Sequence, residues 1–176
     1  MKPALYLLAI LAICFSSPEL GWCQIVRGRS APEQALLRKL TGDCYLSQGK
    51  ISRSIEEYKK ALLLNSHSTA TYFNLAIAYY AQRNLEGATS ALEELLKINE
   101  QDVEAWYNLA CLNLYQQDTE KAKLHFEKAK LCCDCNSKFV PLIMQGLEFL
   151  NELKNSGHQD LILLLLQKGL PPLASS

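Results

Sequence analysis

Hydrophobic and small residues recur along this chain with a period of 34 residues, and within each period they follow helical spacing. The stretch YFNLA at 72–76 is echoed by WYNLA at 106–110, and a fainter copy lies one period earlier, around Gly42. Self-similarity at this period predicts an array of helix hairpins. Each hairpin buries too little apolar surface alone, so neighbours must stack to stabilise it.

Each copy predicts two antiparallel helices. The first helix begins at Ser30–Glu33, where serine, proline and glutamate form a capping box, and it ends at Gly49. The second runs from Ile51 to about Leu64, Asn84 makes the turn of the next copy, and one more helix spans Lys138–Lys154. Small residues should allow close helix crossings and large ones should fill the remaining space. The small set is Gly42, Ala76, Ala88, Ala110 and Ala122; the large set is Tyr58, Leu92 and Phe126.

The pattern resembles the tetratricopeptide repeat family over 35–136. The resemblance implies an all-α fold, an α-solenoid of three helix hairpins with C-terminal capping helices. The first repeat departs from the family pattern, because Arg38 replaces an aromatic residue and Ser54 an alanine, and no repeat has the usual closing proline.

The resemblance also implies a concave face that is lined by the first helix of each repeat and holds a peptide or helix of a protein partner. Family members often use the asparagine found here at 74 and 108 to hold the ligand; alternatively, asparagine is simply the common residue at that slot. The predicted peptide-binding residues are Lys39, Phe73, Asn74, Ile77, Tyr80, Tyr107, Asn108, Cys111 and Tyr115.

One family subtype grips acidic C-terminal tails with a two-carboxylate clamp. Lys39 and Asn74 match that clamp, whereas Asp43, Glu104 and Asn108 do not. Two of the mismatches put negative charge where a carboxylate would bind, and like charges repel. The sequence therefore disfavours that subtype.

The N-terminus has the pattern of a secretory signal. Lys2 precedes an apolar run over 4–15, which is too short to span a bilayer, and cleavage after Cys23 is predicted. A lipoprotein anchor and an uncleaved N-terminal anchor are the alternatives. The chain is therefore expected to be exported, into a periplasmic, secretory or extracellular space.

The C-terminal part contains the run Leu161–Leu166, which is apolar on every face and must be buried against something. Docking on the preceding helix, a homodimer contact and occupation of the chain's own groove are the interpretations. The predicted organisation is a signal peptide at 1–23, a linker at 24–30, a repeat domain at 31–136 (repeats 35–68, 69–102 and 103–136), capping helices at 137–170 and a tail at 171–176.

The charge balance and the motifs of the sequence narrow the possible classes of function. Lys+Arg and Asp+Glu are both 18, so no basic excess points to nucleic acid. Catalytic motifs, phosphate loops and paired histidines at metal-ligand spacing are absent from the sequence. We therefore predict no enzyme, no cofactor and no small-molecule substrate.

Of the seven cysteines, Cys14 and Cys23 would be removed with the predicted signal, which leaves five to be explained. Cys44 and Cys111 are interpreted as small buried hydrophobes. Cys132, Cys133 and Cys135 are interpreted as structural or incidental, with a disulfide or a soft metal as alternatives.

The predicted function is an exported, non-enzymatic protein-interaction module that acts as a scaffold or assembly factor. The alternatives are a self-associating structural subunit joined through Leu161–Leu166, or a thiol or metal protein built on the cluster at 132–135.

Overall fold

Seven α-helices make up the part of the chain that the computed structural model describes, residues 30–134 and 137–156, and this part holds no β-strand. The predicted all-α fold of helix hairpins is confirmed. In chain order the helices are α1 (Ala31–Ser47), α2 (Ile51–Leu64), α3 (Thr69–Ala81), α4 (Leu85–Ile98), α5 (Val103–Tyr115), α6 (Thr119–Cys132) and α7 (Phe139–Ser156).

The helices begin where polar side chains satisfy free backbone groups. At the start of α1, the backbone N–H of Ser30 donates to Oε2 of Glu33 at 3.1 Å, as the capping-box sequence predicted. Asn84, predicted as a turn residue, is the N-cap of α4. In four later helices the N-cap side chain accepts from the backbone N–H three residues on, and these caps are Ser68, Asn84, Asp102 and Asp118.

The turn inside each hairpin uses one residue in the left-handed region. Gly49 has φ 72°, and Arg83 and Gln117 have φ 65° and 64° at the following two periods. The left-handed region is sterically costly for residues with a Cβ atom, so composition alone marks only the glycine. The backbone of the turn therefore recurs although its side chain changes.

The chain divides into two compact units between Gln82 and Arg83. In the first unit, α1 packs on α2 and α2 packs on α3. In the second, α5 packs against α4, α6 and α7, and α6 also contacts α7. The division falls between the two helices of the predicted second repeat.

Packing in the first unit depends on a missing side chain. A Cβ atom on Gly42 would lie 2.5 Å from Cε1 of Tyr58, so only glycine lets that buried ring approach α1. The two departures from the family pattern are accommodated by polar contacts. Arg38 forms an ion pair of 2.9 Å with Glu57 of α2, and the hydroxyl of Ser54 donates to a backbone carbonyl one turn earlier at 2.7 Å.

Packing in the second unit centres on Phe126. Its ring centroid lies 5.8 Å from that of Tyr107, which in turn lies 5.7 Å from that of Phe139 on α7. A Cβ atom on Gly146 would lie 2.5 Å from Cζ of Phe126. Helix α7 therefore seals the apolar side of α5 and α6, and the small residues predicted at 110 and 122 are fully buried beside it.

Several predictions fall outside the described residues. They are the signal peptide at 1–23, all but the last residue of the linker at 24–30, Cys135, the run Leu161–Leu166 and the tail at 171–176. Within the described ranges, none of the helices combines the length and apolar character needed to cross a membrane.

Candidate functional site

The predicted peptide-binding residues of the first unit remain partly accessible. All five side chains are half-buried, and they are Lys39, Phe73, Asn74, Ile77 and Tyr80. Lys39 comes from α1 and the other four from α3. An apolar and aromatic surface with two polar groups is therefore available there for a peptide.

The carboxylate of Asp43 contacts the two polar residues of this surface, Lys39 and Asn74. Lys39 Nζ lies 2.8 Å from Oδ2 of Asp43, one helical turn further along α1. The amide of Asn74 donates to Oδ1 of Asp43 at 2.7 Å, and the hydroxyl of Tyr58 donates to the same oxygen at 2.8 Å. We call Lys39, Asp43, Tyr58 and Asn74 the Asp43 site. Three helices thus direct donors at one carboxylate.

Within the Asp43 site, Tyr58 is buried, whereas Lys39 and Asp43 remain partly exposed. Burial, and then the hydrogen bond to the nearby carboxylate, raises the pKa of Tyr58, so its hydroxyl stays a donor at neutral pH. The Asp43 side chain is 33% exposed and that of Lys39 is 21% exposed. Sequence reasoning selected Lys39 and Asn74, but it placed Tyr58 only in the core and treated Asp43 as a mismatch.

In the second unit the structure contradicts part of the predicted site. Tyr107, Asn108 and Cys111 are buried, with exposed fractions of 0%, 0% and 2%, so the expectation that they line an open face is wrong. Tyr107 and Cys111 belong to the core that α7 covers, because α7 packs on both α5 and α6. Only Tyr115 of this predicted set is half-buried. Whether any of the nine residues binds a peptide stays a prediction.

Cys111 behaves as the small buried hydrophobe that the sequence suggested. Burial raises the pKa of its thiol to about 12, so the thiolate form is negligible at neutral pH. Cys132 and Cys133 are free, partly accessible thiols. In the described ranges, no group of three or more histidine, cysteine or acidic side chains is placed to hold a metal ion.

Cys44 differs from its prediction. Its side chain is half-buried rather than buried, and it is disulfide-bonded. The other described cysteines (Cys111, Cys132 and Cys133) are free. Spacing alone could not identify this bond, because cysteine spacing does not determine disulfide connectivity.

The second unit also has a cavity of about 620 Å³ that the sequence did not predict. Trp106 is one of its lining residues: the indole N–H donates to the Glu100 carbonyl at 2.8 Å, and Lys128 Nζ lies 5.0 Å from the ring centroid. The His125 ring lies 5.5 Å from the same indole. Burial, and then the charges of Lys128 and Lys121, lower the pKa of His125. Acidic and basic residues both line the cavity, so its charge selects no ligand class. The lining is Glu93, Leu96, Lys97, Glu100, Gln101, Trp106, Leu109, His125, Lys128, Leu131 and Cys132.

Known protein families match three segments of this helix-hairpin array. The family described as "TPR repeat" matches residues 42–83, and that described as "Tetratricopeptide repeat" matches 69–102 and again 103–130. The matches together span 42–130, half of the 176 residues. Fold and matches define a protein built from helix-hairpin repeats. The chain belongs to the tetratricopeptide repeat family.

Individual proteins resemble parts of the chain. DnaJ homolog subfamily C member 3 of Gallus gallus is 29% identical over 96 residues, which cover 54% of this chain and 18% of that protein. The chain spans less than a fifth of the length of the curated relatives it matches.

Two solved structures extend the comparison. The first tetratricopeptide domain of Spaghetti (RPAP3), bound to the HSP90 peptide SRMEEVD, has a TM-score of 0.62 at 21% identity and covers 70% of this chain and 95% of that one. The Yersinia enterocolitica type III secretion chaperone SycD, in complex with a peptide of the translocator YopD, has a TM-score of 0.64 at 12% identity and covers 69% and 95%. At such identities the likeness shows the fold alone.

Proposed function

We propose that this chain is a non-enzymatic interaction module that binds a peptide or helix of a protein partner. The observation that carries the proposal is the half-buried surface of α3, where Phe73, Ile77 and Tyr80 lie beside the Asp43 site. Two proteins of similar fold are described in complex with peptides. Aromatic side chains offer large, rigid contact area and dominate many binding surfaces.

The first unit is the favoured binding surface, because its predicted residues stay accessible. In the second unit three of the four are buried, so Tyr115 is the residue expected to contribute there. A peptide on the first unit would place apolar side chains on Phe73 and Ile77. Its backbone would accept from, or donate to, polar groups at the edge.

We propose further that the chain works in an oxidising compartment, as the signal-like N-terminus predicts. Disulfides persist in secretory and extracellular spaces and are rare in the cytosol, so the redox state of Cys44 in the native protein tests this part. Peptide mapping of the secreted chain under reducing and non-reducing conditions tests the bond. A free Cys44 thiol in the native protein would contradict this part.

The binding surface is tested by affinity capture from the native compartment, with identification of the recovered partner and measurement of its dissociation constant. We expect Phe73→Ala and Tyr80→Ala each to weaken binding about tenfold or more, as truncating a central aromatic anchor does. Leu63→Ala is the matched control, since Leu63 is a large apolar residue that is 87% exposed on α2. Equal affinity of all three variants and wild type would exclude this surface.

A further inference from the structure

The buried side chain of Asn113 on α5 contacts two groups through one nitrogen atom. Its Nδ2 lies 2.7 Å from the Leu109 carbonyl oxygen and 3.0 Å from Nδ1 of His125 on α6. A carbonyl oxygen only accepts hydrogen bonds, and an amide nitrogen only donates them. The amide of Asn113 therefore faces Leu109 with its nitrogen, and Nδ1 of His125 is the acceptor of the second bond. The imidazole is thus neutral and holds its proton on Nε2.

Protonation of His125 is incompatible with this arrangement. An imidazolium donates at both ring nitrogens, so its Nδ1–H would point at the amide N–H groups of Asn113. If the amide turned over, its oxygen could accept from Nδ1 but would then face the Leu109 carbonyl, which has no proton to donate. Neither orientation of the amide satisfies both partners once the ring is charged, and an unmatched polar group at this buried position is costly.

The positions of Trp106 and His125 in the repeat hold a different contact in the first unit. There, Arg38 and Glu57 form an ion pair of 2.9 Å between α1 and α2. Trp106 and His125 stand two periods later, and their ring centroids lie 5.5 Å apart. These positions thus join the two helices of a hairpin in both repeats, but in the third repeat the contact includes a group that titrates near neutral pH.

We propose that the contact between Asn113 and His125 is a pH-sensitive switch: protonation of His125 breaks the hydrogen bond and displaces the ring from its place beside Trp106. Both rings line the cavity of the second unit, so acid changes the wall of that cavity. The Lys128 ammonium group lies 5.0 Å from the Trp106 ring centroid, and a charged imidazole next to the same ring repels it.

The groups around His125 determine the pH at which the switch acts. Burial, and then the charges of Lys128 and Lys121, lower the pKa of His125. The charge of Asp118 opposes this shift, whereas the bond to Asn113 adds to it, because that bond stabilises only the neutral ring. The contact is therefore intact at neutral pH and breaks in acidic solution. The other titratable groups that line the cavity with His125 are Glu93 and Lys97 of α4, Glu100 of the loop before α5, and Cys132 of α6.

The test is an NMR titration of the isotope-labelled full chain from about pH 8 to about pH 5. Above its midpoint, His125 should be the neutral tautomer without a proton on Nδ1, which the chemical shifts of its ring nitrogens report. The indole N–H resonance of Trp106 should move with the same midpoint as His125. In His125→Gln this movement should disappear, whereas in the control His67→Gln, at an exposed histidine, it should remain.

Two variants at Asn113 test whether its amide favours the neutral ring. Asn113→Ala removes the donor, so the titration midpoint of His125 should move upward. Asn113→Asp should move the midpoint further upward, because a carboxylate accepts from a protonated Nδ1. If Asn113→Ala does not fold, Asn113→Asp and the tautomer of the wild-type protein decide the outcome.

A neutral His125 with its proton on Nδ1 would overturn the proposal, because that tautomer cannot accept from Asn113. A Trp106 response that persists in His125→Gln, or a His125 midpoint that is the same in wild type and the Asn113 variants, would also overturn it. The switch uses none of the binding residues proposed in the first unit. Loss of peptide binding in Phe73→Ala therefore has no bearing on this result.

Discussion

Tyr58 and Phe126 occupy the same slot of the repeat, two periods apart, and their surroundings show how one scaffold supports different surfaces. Each ring packs against a glycine that leaves no room for a Cβ atom, Gly42 for Tyr58 and Gly146 for Phe126. The Tyr58 ring places its hydroxyl on the half-exposed carboxylate of Asp43. The Phe126 ring instead points its Cζ atom at α7, inside an apolar core. Ring packing is therefore shared, whereas the polar site belongs to the first unit.

The asparagines of the repeat show the same contrast. Asn74 is half-buried and donates to Asp43, whereas Asn108, one period later, is fully buried. An identical residue at an identical slot thus has different accessibility. A binding role that is assigned to a residue only from its position in the repeat therefore needs support from the tertiary structure around that residue.

The strongest test of the contrast is to add a hydroxyl where the structure has no place for one. Phe126→Tyr should lower the free energy of unfolding by about 2–6 kcal/mol, because overpacking against Gly146 and an unsatisfied buried hydroxyl each cost about 1–3 kcal/mol. Urea unfolding followed by circular dichroism measures the loss. Phe73→Tyr, at a half-buried ring, is the control and should change stability by less than about 0.5 kcal/mol. Equal losses of stability in the two variants would show that the core around Phe126 has room for a hydroxyl group.

The reverse change removes the hydroxyl from the first unit. Tyr58→Phe should cost about 1–2 kcal/mol, since a hydrogen bond to a charged acceptor is lost while Lys39 and Asn74 still partner Asp43. The same denaturation experiment measures it, with Tyr79→Phe, a half-buried tyrosine on α3, as the control. No difference between the two variants would mean that the hydroxyl contributes nothing to the Asp43 site.

The smallest expected effect is a pH dependence in the second unit. The folded-state pKa of His125 is lowered, so its stabilising contribution is present above the unfolded pKa of about 6.5 and is lost as pH falls from there towards the folded value. Unfolding at about pH 7.5 and about pH 5.5 should therefore differ by less than about 1 kcal/mol from this group, because the ring is only half-buried. His125→Gln should reduce the difference, whereas the control His67→Gln, at an exposed histidine, should not. An unchanged difference in His125→Gln would assign the pH dependence to other groups.

The spacing of apolar residues predicted the helices well, because the same positions are buried in each repeat of the fold. The helix Ile51–Leu64 has the predicted bounds, and Gly49 adopts the left-handed conformation that ends the preceding helix. The last described helix begins at Phe139, close to the predicted Lys138. Helix boundaries of this kind follow from local chemistry, that is, from caps, glycine and apolar spacing.

The candidate site was predicted only in part. Lys39, Phe73, Asn74, Ile77 and Tyr80 were placed on one accessible face, and they are half-buried in the first unit. The contribution of Tyr58 was missed, because helical spacing gave its ring a core position and could not show where its hydroxyl points. The disulfide of Cys44 was missed because cysteine spacing does not determine disulfide connectivity.

The sequence by itself determined the helix-hairpin array, since a 34-residue recurrence of small and large apolar residues at helical spacing is typical of stacked helix hairpins. Tertiary structure decided which of the repeated slots stay accessible. Helix α7 covers the apolar side of α5 and buries Tyr107 and Cys111, and three helices bring their donors to Asp43. Both outcomes arise from contacts between residues far apart in the chain, and the local pattern did not show which of the repeated slots those contacts would cover.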